Sequence, residues 1–255
     1  EPLTLAQDSG TIVHVLNVAD TNTLTGNVTL NGGGNTWTLQ SDAGRIVFTG
    51  DFTSSASGFT RPIQVQGDGD GELAGTLADN SLNWLQVRKA GNGTWTLSGN
   101  ATLPQGVQVN QGTLLLNGTL NIGTNAGNSV VNGGTLGGNG TTLGSITLNS
   151  GGTLAPGVNG IGALTVASNL TFSAGSFCVI EISKTAMTND RVQGLQSVSF
   201  GGMLTVTNLS GALESGDSFQ LFSAANRAGS FATLNLPELA AGYAWTNRLL
   251  LDGSL

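Results

Sequence analysis

The stretch "VNQGTLLLNGT", Val109 to Thr119, returns 22 residues later as "VNGGTLGGNGT", Val131 to Thr141, with eight of eleven positions identical and no gap. A looser third copy, "ITLNSGGTLAPG", follows. In it Leu148-Asn149 echoes Val109-Asn110 and Val131-Asn132, and Gly152-Thr153-Leu154 repeats the Gly-Thr-Leu triplets at 112 and 134. Strand-length apolar runs recurring every ~20 residues predict a solenoid. One such unit cannot bury its apolar side alone. The next unit stacks on it, and the main chain bonds from coil to coil at ~4.8 Å. Like residues then lie over like. Val109, Val131 and Leu148 stack inward, as do Leu114, Leu136 and Leu154. Asn110, Asn132 and Asn149 form an amide ladder at a corner. Gly112, Gly134 and Gly152 supply positive φ at the next bend.

Composition agrees. Charged residues are 9% of the 255, against a usual value of about 25%, and glycine supplies 40 positions. A charge in a stacked column would face its like at ~4.8 Å, so neutral Thr and Asn fill the columns. No stretch of helical period free of glycine runs for a dozen residues, while strand-like segments such as "TIVHVLNV", "RIVFTG" and "ALTVASNLTF" recur throughout. "NTWTLQSDAG" (35–44) resembles "GTWTLSGNAT" (93–102), a spacing read as two or three coils. The fold class is all-β. Residues 1–172 are expected to form a parallel β-solenoid, or β-helix, of seven or eight coils. Residues 173–255 lack the triplets and carry longer strands and more Phe. They are expected to form a C-terminal antiparallel β-sandwich-like cap over the open solenoid end.

Formal net charge is −7, and the only adjacent cations are Arg88-Lys89. Counterion release needs clustered cations, so nucleic acid is excluded as a partner, and anionic lipid is disfavoured. One cysteine, Cys178, allows no internal disulfide and reads as a small buried hydrophobe. No apolar run reaches transmembrane length. The opening "EPLTLAQ" reads as a mature start after signal removal.

Two longer segments carry a family likeness. "VRKAGNGTWTLSGNATLPQGVQVNQGTLLLNG" (87–118) resembles the autotransporter-associated β-strand repeat, and "GGTLGGNGTTLGSITLNSGGTLAPGVNGIGALTV" (133–166) resembles the passenger-associated transport repeat. The tail "GDSFQLFSAANRAGSFATLNLPELAAGYAW" is similar to the module that follows such repeats in large exported bacterial proteins. The resemblance implies a right-handed β-solenoid used in surface display, adhesion or matrix structure, and it carries over no catalytic residues. "NATLPQG" stands where the family has an Asn-Thr-Tyr-Thr-Gly step, and no membrane barrel is expected to follow the cap, whose last residue is Leu255.

His14 is the sole histidine and alternates with Val13 and Val15, which reads as a half-buried strand residue. No Gly-x-Ser-x-Gly elbow is present, and one His with one Cys cannot close a zinc site. Asp68, Asp70 and Glu72 in "QGDGDGEL" alternate onto one side and are the Ca²⁺ candidate, although EF-hand and β-roll calcium signatures are absent. Polysaccharide lyases on β-helices combine acidic ligands with a basic residue. Asp42, Arg45 and Asp51, or Asp68, Asp70 and Arg88, are the sets such chemistry would draw on. Trp37 and Trp95 share a side with Leu39 and Leu97 and point inward. Trp84 shares its side with Gln86 and Arg88 and is the glycan-stacking candidate.

These features predict an extracellular, non-enzymatic structural or adhesion protein of a bacterial surface or biofilm matrix, exported with its signal peptide removed. It needs no cofactor and no metal. It self-associates, head to tail into fibres, by strand addition at an open solenoid end. The alternative is a glycan-binding or glycan-cleaving β-helix module. Convergence of Asp68, Asp70, Glu72, Trp84 and Arg88 on one concave side would favour that alternative.

Overall fold

The computed structural model describes residues 1–6, 12–31, 36–54, 61–79, 84–122 and 127–255. Thr11 and Asn35, which open two of the segments quoted above, lie outside them. The described residues form strands, turns and irregular chain, and no helix among them is long and apolar enough to cross a membrane.

Parallel strands stack in three columns, one for each side of the coil. The first side begins with Leu3–Ala6, Val28–Asn31 and Phe52–Ser54 and continues to Ala163–Val166. The second runs from Val15–Asn17 and Trp37–Ser41 through Leu85–Lys89 to Asn169–Phe172. The third runs from Thr21–Leu24 and Arg45–Phe48 through Thr94–Leu97 and Thr153–Pro156 to Thr233–Asn235. Residues alternate in and out along most of these strands. Leu85, Val87 and Lys89 are buried, while Gln86 and Arg88 are half-exposed. This period of two is what a strand with one buried face requires.

The opening repeat is one coil on the next. Val109 pairs with Val131 and Val131 with Leu148, and Leu114 pairs with Leu136 and Leu136 with Leu154. All six are at most 1% exposed. Asn132 Nδ2 donates to Asn110 Oδ1 at 2.9 Å, and Asn149 Nδ2 donates to Asn132 Oδ1 at 2.7 Å. The expected amide ladder is therefore present. The glycines need a correction. Gly112 has φ 65, but neither Gly134 nor Gly152 has positive φ. A Cβ on Gly134 would sit 2.7 Å from the Gly112 carbonyl oxygen, and one on Gly152 would sit 2.2 Å from that of Val131. Close approach of adjacent coils, not a left-handed bend, fixes glycine there.

Two expectations of spacing also change. The coils of the first hundred residues are longer than 20. Val28 lies opposite Phe52 and Leu77 opposite Ala101, each 24 residues on. Hence the likeness between 35–44 and 93–102 does not mark coils in register. Trp37 lies on the second side and Trp95 on the third. Both rings are fully buried. Trp37 Nε1 donates to the Leu5 carbonyl at 3.2 Å, and Trp95 lies beside Gly71, where a Cβ would come within 2.5 Å of the indole.

Residues 173–255 depart from expectation in how their strands pair. Phe177–Ser183 pairs in parallel with Thr153–Pro156 and with Met203–Asn208, which pairs in parallel with Thr233–Asn235. Arg191–Phe200 serves two sides, bending between Val192 and Leu195 at Gly194 (φ 78), and Phe222–Gly229 lies parallel beside it. Antiparallel pairing is confined to Thr188–Asn189 and to the returning tail, where Phe219 and Leu255 exchange backbone bonds of 3.0 and 3.1 Å. The Gly-Thr-Leu triplet marks one kind of corner. Its loss signals a change of corner, with the stacking kept. Phe172, Phe200, Phe222 and Phe231 fill these wider coils, with ring centroids 5.1–6.2 Å apart.

Candidate functional site

The outer surface of the third side carries two adjoining hollows that share Thr94, Leu115, Val158 and Asn159. After Thr153–Pro156 the chain doubles back. Gly157 and Gly138 exchange two backbone hydrogen bonds of 3.0 Å in an antiparallel bridge. Val158 and Asn159, the latter at φ 54, then overhang the preceding coils. The overhang separates two hollows. One, of about 370 Å³, is lined by Arg45, Asp70, Glu72 and Thr96. The other, of about 380 Å³, is lined by Thr113, Thr135, Glu181 and Asp190. Thr94, Thr113 and Thr135 stack in register along the floor, and Leu115 lines both hollows.

The acidic residues here are bonded to neighbouring chain. Asp68 Oδ1 accepts from Asn92 Nδ2 at 2.7 Å, and Asp70 Oδ1 accepts from the Thr94 amide at 2.8 Å. Glu72 pairs with Arg45 and accepts from Ser98 Oγ. Asp190 is 2% exposed and accepts from the Gly162 and Glu181 amides, each at 2.7 Å. Burial pushes its carboxyl up to about 6, with a smaller push from Glu181. Asp68, Asp70 and Glu72 do alternate outward, but each serves the next coil. Among the described residues no three of His, Cys, Asp and Glu are grouped to hold a metal ion.

The five residues that would favour a glycan enzyme do not converge. Asp70 and Glu72 lie on the third side, whereas half-buried Trp84 precedes the second-side strand that holds Arg88. Arg88 Nε donates to Gln108 Oε1 at 3.1 Å along that side. The other lyase-type set scatters too. Asp42 accepts from Gln40 Nε2 at 2.6 Å on one corner, and Asp51 accepts from the Thr76 amide at 2.8 Å on another. His14 is half-buried, as expected. Its Nδ1 accepts from the Thr38 amide at 3.1 Å, so the proton lies on Nε2, 3.2 Å from the Ala6 carbonyl. Cys178 is fully buried, and burial, helped by Asp190, pushes its thiol far up.

One charged residue plays a part that the motifs did not point to. Lys89 is fully buried in a second-side column between Val65 and Val109. Its Nζ donates to the carbonyls of Ala90, Gly91 and Gln111 at 2.8, 2.6 and 3.2 Å, which uses all three ammonium hydrogens. Burial pushes the ammonium down to about 8, against the opposing pull of Asp70 and Asp68. The acidic cluster thus sits beside a built-in cation. The signal is present in "LQVRK", where Lys89 shares the inward parity of Leu85 and Val87. No protein-family model matches the chain and no curated protein matches it, so the likeness to autotransporter-associated repeats rests on the motifs quoted above.

Proposed function

We propose that this chain is a non-enzymatic structural or adhesive element of a bacterial surface or extracellular matrix. The supporting observation is where its polar side chains go. The Asn110–Asn132–Asn149 ladder, the Gln66–Gln40 pair and the Asp68–Asn92–Gln111 chain all bond coil to coil. Groups bonded in this way stiffen a rod, and the carboxamides that make up most of them carry no titratable proton. A glycan-cleaving reading is supported less, because Asp70, Glu72 and Asp190 are committed to amides, Ser98 and Arg45.

Self-association is part of the proposal. Ile12, Val13, Leu16 and Val18 are 41–66% exposed around the strand Val15–Asn17, whose ladder partner among the described residues lies on one side only. A second copy adding its strands there would cover both the apolar side chains and the open edge. Sedimentation and negative-stain microscopy at micromolar concentration test this, alongside limited proteolysis. Filaments, with coils resistant to cleavage, are expected. A strict monomer whose coils are readily cut would overturn the reading.

A further inference from the structure

The returning tail encloses a hollow that none of the sequence motifs pointed to. It measures about 370 Å³ and is walled by Tyr243 and Trp245, floored by Leu213 and Leu255, and rimmed by Ser215, Ser218 and Thr246. Tyr243 and Trp245 stand two residues apart in irregular chain. Trp245 packs on the hydrophobic core, and its Nε1 donates to the Pro237 carbonyl at 2.9 Å, so its ring is held in place. The Tyr243 residue is 48% exposed. The volume lies at the lower end of the range for small-molecule sites.

The electrostatics narrow the ligand. Three charged side chains, Glu214, Asp217 and Arg248, line the hollow, and all are paired within the chain. Lys184 Nζ reaches Asp217 Oδ1 at 2.5 Å and Glu214 Oε2 at 3.1 Å. Arg248 Nε and Nη2 donate to Asp252 Oδ2 at 2.9 and 2.6 Å. Asp217 Oδ2 also accepts from the Glu214 amide at 2.8 Å. Charges already paired do not call for a counter-ion, but their spare lone pairs and hydrogens still bond hydroxyl groups. An amphipathic aromatic wall suits a ring with one apolar and one polar aspect. We infer that this hollow binds a neutral saccharide, with Trp245 and Tyr243 stacking on the sugar ring and the Ser/Thr rim bonding its hydroxyls. The inference rests on the adhesive half of the reading above. It is read by binding, whereas assembly is read by sedimentation, so either can fail alone.

The test is NMR titration of the full chain with soluble hexasaccharides of glucose, xylose and N-acetylglucosamine. The Trp245 indole N–H signal is assigned by its loss in Trp245→Phe. That signal is expected to shift with at least one sugar, at a Kd near ~1 mM. Tyr243→Ala, which removes a half-exposed ring from outside the core, is expected to weaken binding about tenfold. Trp84→Ala, on the second side of the coil, is expected to leave it unchanged. No shift at Trp245 with any of the three sugars overturns the inference. So does undiminished binding by Tyr243→Ala, or loss of binding in Trp84→Ala.

Discussion

The coils at 109–154 and those at 172–231 stack in the same parallel way but are filled differently. The first set places like aliphatics over one another and ties its corner with amides. The second makes longer circuits, with Val192 opposite Phe222, and packs four phenylalanines edge to face or tilted. Stacking therefore depends on strand register, while the filling is free to vary with coil length. The comparison breaks most sharply at Phe222, which meets Phe172, Phe200 and Phe231. Phe222→Ala is expected to cost ~4 kcal/mol, and Leu136→Ala, a smaller side chain stacked between Leu114 and Leu154, ~3 kcal/mol. Urea melts with native-state amide exchange check both. A larger loss at Leu136 would show that the wide coils are not held by their aromatic cluster.

A second contrast lies within one column, where Lys89 replaces the aliphatic residue of the coils on either side. Burial makes the folded chain release the Lys89 proton at about 8, below its usual 10.5. Between those values the unfolded chain binds more protons, so stability rises with pH across that window. Below pH ~8 the burial penalty is fully present. The rise is expected to be at most ~3 kcal/mol, since one proton released across one pH unit is worth about 1.4 kcal/mol. Urea melts at the two ends of the window measure it. Lys89→Met should remove this rise and leave the opposite contribution of Lys184, whose pairing with Asp217 and Glu214 holds its ammonium above the usual value and so makes stability fall at high pH. An identical pH profile in the variant would mean that the ammonium is effectively solvated.

The repeat was legible because identical residues in register are a direct statement of stacking. Val109, Val131 and Leu148 could be placed inward before any coordinates. Coil length was not, because Gly112 and Gly152 report only their own coils. Longer circuits of 24 residues leave no triplet. The parallel course of Phe177–Ser183 was hidden for the same reason: its corner is not made by Gly-Thr-Leu. The third-side hollows were half legible. Alternation placed Asp68, Asp70 and Glu72 outward, but the partners that engage them, Asn92, Thr94 and Ser98, come from the next coil and follow from register alone. The hollow beside Trp245 was invisible, since it is built by a tail without period.

The smallest effect sharpens the difference between the two ways of filling a coil. Asn132 is the middle rung of its ladder, donating to Asn110 and accepting from Asn149. Asn132→Ala breaks both bonds at a half-exposed corner where water can replace them in part. It is expected to cost ~1 kcal/mol. Asn132→Asp keeps the acceptor and loses the donor, which sets a carboxylate oxygen against Asn110 Oδ1. Its cost should exceed that of alanine near neutral pH and shrink once the carboxyl is protonated below pH ~4. Thermal melts of both variants at pH 7 and pH 3.5, each referred to the parent at the same pH, separate these cases. Equal costs at both pH values would mean that the amide ladder adds no directional bond. The repeat coils would then be held, like the phenylalanine coils, by their interior alone.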